Sequence, residues 1–242
     1  MLAAAFAGEF GGMRKNMTLM RFYRGISVPR HEAEGVIAKI RSKGLQPGDG
    51  RWTMMAADLK PRLDEIWRLP TITYADTRPE APEPSWVCAC AEEAGALYYA
   101  CSHNRSSEKD TPILIVFDTE PSEVIVDGRD FLYTAFQLGD PQRARPIVER
   151  IFGSSILKYI DRAWSKQEQA ERIALCDLAV QDDAVVRAHA SNNIVIGGRY
   201  RTRFRSAFFV RSPVAAKRIV DVRMIENDFD PPDMEISLND VR

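Results

Sequence analysis

The spacing of apolar residues divides the start of the chain into a strand followed by a helix. Residues 18 to 26 are β-prone, and apolar side chains then recur at helical spacing between Ala33 and Ile40. Gly44 follows Lys43 at the position where a glycine commonly ends a helix. The pattern therefore predicts a strand, a helix and a glycine stop, in that order.

The middle of the chain alternates between strand and helix chemistry. Residues 86 to 90 have the pattern of a short strand, and residues 92 to 102 have that of a helix. The almost continuous apolar run at 112–118 is typical of a buried strand. Residues 123 to 128 predict another strand, which ends at an Asp-Gly turn.

Residues 141 to 190 carry apolar side chains in loose helical register, and strand chemistry returns after them. This order of strands and helices predicts the α+β class, with a helical insertion at about 141–190. We expect residues 1–16 to be a flexible leader and residues 17–242 to form a single domain.

The composition is that of an ordinary globular protein. The 242 residues are 45% hydrophobic and 28% charged, with a formal net charge of -1. No run of about 18 apolar residues occurs, so we expect no membrane span. Four cysteines are too few for a disulfide scaffold in a chain of this length, which favours a reducing, cytoplasmic setting.

The almost neutral total conceals an uneven distribution of charge near the C terminus. Seven basic and no acidic residues lie between positions 199 and 218, whereas seven acidic residues and one basic residue lie between 221 and 240. An extended strand would present four of the basic residues on one face, namely Arg199, Arg201, Arg203 and Arg205. This arginine ridge suits phosphate oxygens. The alternatives are a solvated edge strand and a ridge covered by the acidic tail.

The cysteines do not predict a metal site. Cys88, Cys90, Cys101 and His103 are residue types that bind zinc, but their short gaps do not match the usual ligand spacing. We therefore expect small buried thiols and no metal. The sequence also contains no P-loop, no G-x-G-x-x-G, no G-x-S-x-G and no H-E-x-x-H motif.

Two local features could carry chemistry. Arg24 is followed at once by Gly25, which indicates either a solvated arginine beside a turn or a clamp for an anion. Glu123, Asp127 and Asp130 cluster around a predicted strand end, where they indicate either a general base or a solvated turn.

Several segments, taken in order, match the plan of a known enzyme fold. "FYRG" at 22–25 ends a first strand, and the helix "HEAEGVIAKIRSKGL" follows it. "SWVCACAEEAGALYYACS" has the form of a strand that leads into an aromatic helix, and "PILIVFD" has that of the strand after it. "FFVRSPVAAKRIVDVRMI" would supply the closing strands. Together these segments resemble the arginine-type ADP-ribosyltransferases.

The resemblance implies a split antiparallel or mixed sheet and NAD as the substrate. Arg24 would hold the pyrophosphate or a ribose, and Gly25 would let the backbone approach the ligand. Tyr99 would stack on nicotinamide with Tyr98 beside it, and Ser85 would take the place of a structural serine. The implied reaction is loss of nicotinamide through an oxocarbenium-like transition state, which the protein promotes by orientation and electrostatics.

The family's catalytic acid has no counterpart at the expected place in the sequence. The family uses a glutamate near the start of the penultimate strand, where this chain has Ser206 and Ala207. The resemblance then implies that Glu123 or Asp127 is the acid, or that the chain binds NAD or nucleic acid without transfer. We predict an NAD-dependent ADP-ribosyltransferase acting on a protein or nucleic acid acceptor, in a family whose members are commonly bacterial toxins or effectors. The alternative is a non-catalytic nucleic-acid-binding module that uses the ridge at 199–205.

Overall fold

Two three-stranded antiparallel sheets and one smaller two-stranded sheet, flanked by helices, make up the part of the fold that a computed structural model describes. The described residues are 19–46, 85–105, 107–127, 131–198, 203–226 and 229–242. The α+β class predicted from the sequence is confirmed. The strands are β1 (Met20–Pro29), β2 (Ser85–Ala89), β3 (Asp110–Thr119), β4 (Val124–Val126), β5 (Ile196–Gly197), β6 (Arg203–Phe204), β7 (Phe208–Ser212) and β8 (Ile219–Met224). The helices are α1 (Ala33–Lys43), α2 (Glu93–Tyr98), α3 (Phe131–Leu138), α4 (Pro141–Phe152), α5 (Leu157–Trp164), α6 (Gln169–Ala179) and α7 (Asp183–Ala190).

The first sheet has the order β1-β3-β8, and β1 pairs with β3 along its whole length. β3 is apolar almost throughout because both of its faces are covered. Leu114 and Val116 pack with Ala96 of α2, whereas Ile113 and Ile115 belong to the main core on the other face. At the outer strand β8 the carbonyl of Val222 accepts a hydrogen bond from the Arg41 guanidinium of α1, at 2.7 Å.

The second sheet has the order β2-β7-β4. Ala89 at the end of β2 and Val126 at the end of β4 both lie opposite Phe208 at the start of β7. Because the pairing is antiparallel, the segments that follow β2 and β4 meet the segment that precedes β7 at one edge of the sheet. This edge is called the strand-end edge below.

One backbone bridge joins the two sheets. The Tyr23 N–H donates to the Cys90 carbonyl, and the Cys90 N–H donates to the Tyr23 carbonyl, both at 2.8 Å. Within the described part of the chain, β1 and β2 otherwise belong to separate sheets. The sheets therefore diverge beside this bridge and leave a split between β1 and β2.

Helices α4 to α7 occupy the segment for which the sequence predicts a helical insertion, and α3 extends the helical region towards the N terminus. α3 is the most apolar of them, and its residues from Phe131 to Phe136 are all buried. That residues 17–242 form a single domain stays a prediction, and the leader expected at 1–16 lies outside the described residues.

Helix α1 ends where the sequence predicts. Gly44 adopts a φ of 78°, in the left-handed region that favours glycine. A Cβ at Gly44 would also lie 2.0 Å from the carbonyl oxygen of Val214. The glycine is therefore required both by the turn and by the close approach of the neighbouring chain.

Candidate functional site

The split between the sheets is held by two side chains that replace backbone hydrogen bonds. If the ladder continued from the Tyr23–Cys90 bridge, the next hydrogen-bonded pair would be Gly25 and Cys88. Instead, the Arg24 guanidinium donates to the Cys88 carbonyl at 2.9 Å. The Asn104 side-chain amide donates to the Gly25 carbonyl at 3.0 Å. Side chains thus occupy the carbonyl oxygens of both Gly25 and Cys88, and the pairing between β1 and β2 ends there.

Arg24, predicted to bind an anion, is buried beside this split. The residue is only 4% exposed, and its partner in the ladder with β3 is Ile115 of the main core. A buried guanidinium is costly unless acceptors satisfy its N–H groups, and the Cys88 carbonyl is one such acceptor. Arg24 is therefore fixed between the two sheets, unlike an ordinary surface arginine.

Gly25 allows helix α2 to lie directly on β1. A Cβ at Gly25 would be 1.8 Å from the Ala96 carbonyl oxygen and 2.7 Å from the Ala100 backbone nitrogen. The face of Gly25 is thus filled by the helix backbone. The predicted role of Gly25 in the approach of a cofactor stays a prediction, and helix packing is a sufficient reason for the glycine.

Tyr98 and Tyr99 form an aromatic cluster with His103. Tyr98 ends α2, and Tyr99 begins a π-helical turn, Tyr99–His103. The two tyrosine rings pack edge to face with centroids 5.6 Å apart, and the His103 ring lies 5.3 Å from that of Tyr99. Since α2 covers the Gly25 face of β1, strand alternation puts Arg24 on the opposite face. The structure therefore does not bring the predicted nicotinamide-stacking residues to the Arg24 face of β1.

The segment before β7 is held rigidly at the strand-end edge. The Ser206 hydroxyl oxygen accepts a hydrogen bond from the Ala91 N–H at 2.9 Å. The Asn192 side-chain amide donates to the carbonyl of Arg205. These contacts fix residues 205 and 206 against the segment after β2 and against the residues that follow α7.

His189 of α7 ties the helical region to the same segment. Its Nε2 accepts a hydrogen bond from the Ala207 N–H at 3.1 Å, and its ring stacks on Phe152 with centroids 4.6 Å apart. Burial lowers the pKa of His189 to about 4, although the Ile151 carbonyl and the Asp127 charge act in the opposite direction. His189 is therefore neutral near pH 7, as its role as an acceptor requires.

Glu92 and Arg205 lie near each other at the strand-end edge. They flank the hydrogen bond between Ala91 and Ser206, and the charge of Arg205 acts on the Glu92 carboxylate. The Glu92 carboxylate caps α2 by accepting the Gly95 N–H at 2.6 Å. An acidic residue and a basic residue from distant parts of the sequence thus lie close together, at a place where the sequence predicted no acidic residue.

The charges of Glu92 and Arg205 interact without a direct ion pair. Burial raises the pKa of Glu92, while the Gly95 amide and the Arg205 charge act in the opposite direction. Among the described residues no salt bridge joins the two side chains. The Nε of Arg205 is buried and has no hydrogen-bond partner within the described structure.

Asp127 is the second acid at the strand-end edge. It follows β4, and its N–H donates to the Ala207 carbonyl at 2.8 Å. Its charge acts on Cys90 and on His189, which places the carboxylate near both. Of the two acids proposed from the resemblance, Asp127 is the one that lies near the start of β7.

Glu123, the other acid, lies at the opposite end of β4. Its Oε2 accepts a hydrogen bond from the Thr119 hydroxyl at 2.6 Å and another from the Arg218 guanidinium. Burial acts to raise the pKa of Glu123, but the bonds from Thr119 and Arg218 lower it overall. The carboxylate stabilises the turn Pro121–Glu123, and its predicted catalytic role gains no support from this position.

The structure describes only two residues of the arginine ridge, Arg203 and Arg205. Arg199, Arg201 and the side chain of Ser85 lie outside what the structure describes. Arg203 donates to the Pro232 carbonyl at 3.2 Å, so the acidic tail contacts the basic segment at this point. Phosphate binding along the ridge stays a prediction.

Two of the four cysteines, Cys90 and Cys176, are unsuited to nucleophilic chemistry. Cys90, Cys101 and Cys176 are buried, and Cys88 is half-buried. Burial raises the pKa of Cys90 and of Cys176 well above the ordinary thiol value, so both stay protonated. The described residues contain no His, Cys, Asp and Glu cluster able to hold a metal ion. None of the described helices has the length and apolarity needed to cross a membrane.

The sequence reasoning missed Glu92, although one signal was present. Glu92 is the first residue of the aromatic helix predicted at 92–102, at the end of a helix where a side chain can act as a cap. Its proximity to Arg205 depends on the register of two strands that are distant in sequence. No protein-family model, curated protein or solved structure matches the chain. The Arg24 split and the strand-end edge are therefore the two features of the molecule that bear on its function.

Proposed function

We propose that the chain is an NAD-dependent ADP-ribosyltransferase. The observation that carries the proposal is the split between β1 and β2, where Arg24 is buried and bonded to the Cys88 carbonyl. Two sheets that diverge beside a first-strand arginine resemble the core of the arginine-type enzymes. A guanidinium fixed between the two sheets suits the diphosphate of a dinucleotide, because its fork matches phosphate oxygens.

Glu92 is the catalytic acid in this proposal, and Asp127 is its neighbour. The family requires a carboxylate near the start of the penultimate strand, and Glu92 lies near Arg205, which precedes β7. A residue from the segment after β2 would thus supply the group that the segment before β7 lacks. Helix capping fixes this carboxylate, because one of its oxygens accepts the Gly95 N–H.

The reaction would cleave the bond between the nicotinamide nitrogen and the ribose carbon. Positive charge develops on the ribose as this bond breaks, and an ionised carboxylate that holds a ribose hydroxyl stabilises that charge. Burial raises the pKa of Glu92 above that of an ordinary glutamate. Because the ionised form is required, activity should rise with pH through this raised pKa.

Incubation with NAD and measurement of free nicotinamide tests the proposal. Wild type should release nicotinamide, and Glu92→Gln should lower the rate by about 100-fold or more. Arg24→Lys should lower it too, while keeping a donor for the Cys88 carbonyl and so preserving the split. Arg21→Lys is the matched control, since Arg21 is an exposed residue of the same strand paired with Asp118. A wild type that releases no nicotinamide, with water or with added acceptors, would refute the proposal.

The alternative proposal is a non-catalytic nucleic-acid-binding module that uses the arginine ridge. Its affinity for nucleic acid would fall steeply with salt, and Arg203→Gln would reduce the slope of that dependence. We rank it second because Arg203 already contacts the Pro232 carbonyl of the acidic tail.

A further inference from the structure

We propose that Arg205 binds the terminal phosphate of a single-stranded nucleic acid and that this phosphate is the acceptor of ADP-ribose. The inference rests on the proposed function, because it names the acceptor used at the same site. It depends on three features of the strand-end edge: the position of Arg205, its buried nitrogen and the charge of its surroundings.

The position of Arg205 is fixed by the pairing around it. Its carbonyl is held by Asn192, and the next residue, Ser206, is bonded to Ala91. The bond between Ala91 and Ser206 and the effect of the Arg205 charge on Glu92 place Arg205 near Glu92, the acid of the proposed reaction. A group bound by this guanidinium would therefore lie next to the reacting ribose.

The buried Nε of Arg205 is a donor that a ligand could use. It has no hydrogen-bond partner within the described structure, and the nearby Glu92 carboxylate is engaged with the Gly95 N–H. A buried donor of this kind is costly when it is unsatisfied. An anionic oxygen of a ligand would satisfy it and would form the strong, charge-assisted type of hydrogen bond.

The positive charge of Arg205 favours some acceptors of ADP-ribose over others. A guanidinium beside the acid repels the cationic side chains of arginine and lysine and attracts an anion. A phosphate monoester carries almost two negative charges near pH 7, so it is both attracted and already ionised for attack. The structure therefore favours a phosphate over a guanidinium as the acceptor.

A second arginine, near the far end of β7, favours nucleic acid over a phosphorylated protein. Arg205 precedes β7, and Arg211 is an exposed residue near the C-terminal end of that strand. The Arg211 guanidinium stacks on Trp86 of the neighbouring strand, 5.7 Å from the ring. Basic groups interleaved with aromatic rings are typical of surfaces that bind single strands.

The transfer balances without a further reactant. A phosphate oxygen forms a bond to the ribose carbon as the bond from that carbon to the nicotinamide nitrogen breaks. The electron pair of the broken bond leaves with nicotinamide and neutralises its positive charge. The phosphate loses one negative charge on becoming a diester, so no general base is needed.

Transfer from labelled NAD to short single strands of DNA and RNA, with and without a 5′ phosphate, tests the inference. Wild type should label only the phosphorylated strands. Arg205→Gln should reduce this labelling about 10- to 100-fold, the loss expected for a charged hydrogen bond, while hydrolysis of NAD by water continues. Arg205→Lys should restore part of the labelling, and Arg162→Gln, an exposed arginine of α5, should behave as wild type.

Fluorescence anisotropy without NAD gives a second, independent readout. Wild type should bind the 5′-phosphorylated strand about tenfold more tightly than the 5′-hydroxyl strand, and Arg205→Gln should remove the difference. Equal binding of the two strands by wild type overturns the inference, as does preferential labelling of a phosphoserine peptide. Hydrolysis of NAD without transfer to any strand overturns it and leaves the proposed function intact. The absence of nicotinamide under every condition refutes the proposed function and the acceptor role together.

Discussion

Replacing Gly25 by alanine tests the contact between β1 and α2. The added Cβ would lie 1.8 Å from the Ala96 carbonyl oxygen, a distance far below van der Waals contact. The same Cβ would lie 2.7 Å from the Ala100 backbone nitrogen, which is also too close. Because both obstacles are backbone atoms of the helical segment, no side-chain rotation can relieve them, and the helix must move away from the strand.

Overpacking of this kind costs about 1–3 kcal/mol in folded cores. We expect Gly25→Ala to lie at the upper end, about 3 kcal/mol, since a whole helix must shift from Leu114 and Val116 beneath it. For a chain of this length, a loss of this size lowers the melting temperature by about 6–12 °C.

Thermal unfolding followed by circular dichroism measures this effect, and Gly35→Ala is the matched control. A Cβ at Gly35 meets no atom within 4 Å, and the residue is exposed in α1. Replacing a helical glycine by alanine should stabilise the chain by up to about 1 kcal/mol, so the control should melt a few degrees higher. If Gly25→Ala melted within about 2 °C of wild type, the close packing of α2 on β1 would be wrong.

The remaining predictions concern His189 and Glu123. Between about pH 6.5 and pH 4, wild type should lose up to about 3 kcal/mol of unfolding free energy, because unfolded His189 binds a proton that its lowered folded pKa excludes. Urea titrations across this range should show that His189→Gln removes this part of the pH dependence, and an unchanged dependence would contradict the assignment. Glu123→Gln should cost about 1 kcal/mol by weakening its bond from Arg218, without changing nicotinamide release. Loss of release at unchanged stability would instead identify Glu123 as the acid.

The elements with strong local patterns were predictable from the sequence. The helical spacing from Ala33 and the glycine at 44 gave α1 and its end, because capping and periodicity act within a few residues. The apolar run at 112–118 gave β3, because a strand buried on both faces needs no polar positions. The helices at 141–190 followed from the same kind of periodicity.

The arrangement of the site was harder to predict from the sequence, for two physical reasons. Glu92 and Arg205 become neighbours through the β2–β7 register, which depends on tertiary pairing that no local pattern encodes. In contrast, the alternation of a strand already puts Arg24 and Gly25 on opposite faces. The sequence did not indicate that α2, with its two tyrosines, would cover the Gly25 face.

The contact between Arg41 and the Val222 carbonyl affects how the chain behaves among copies of itself. An outer strand with open carbonyls is a template to which another polypeptide can add, and such addition leads to aggregation. The guanidinium occupies one of these acceptors on β8 and puts a positive charge beside it. Within the described structure, this helical side chain, which takes no part in the proposed reaction, thus helps to protect the outer strand against polymerisation.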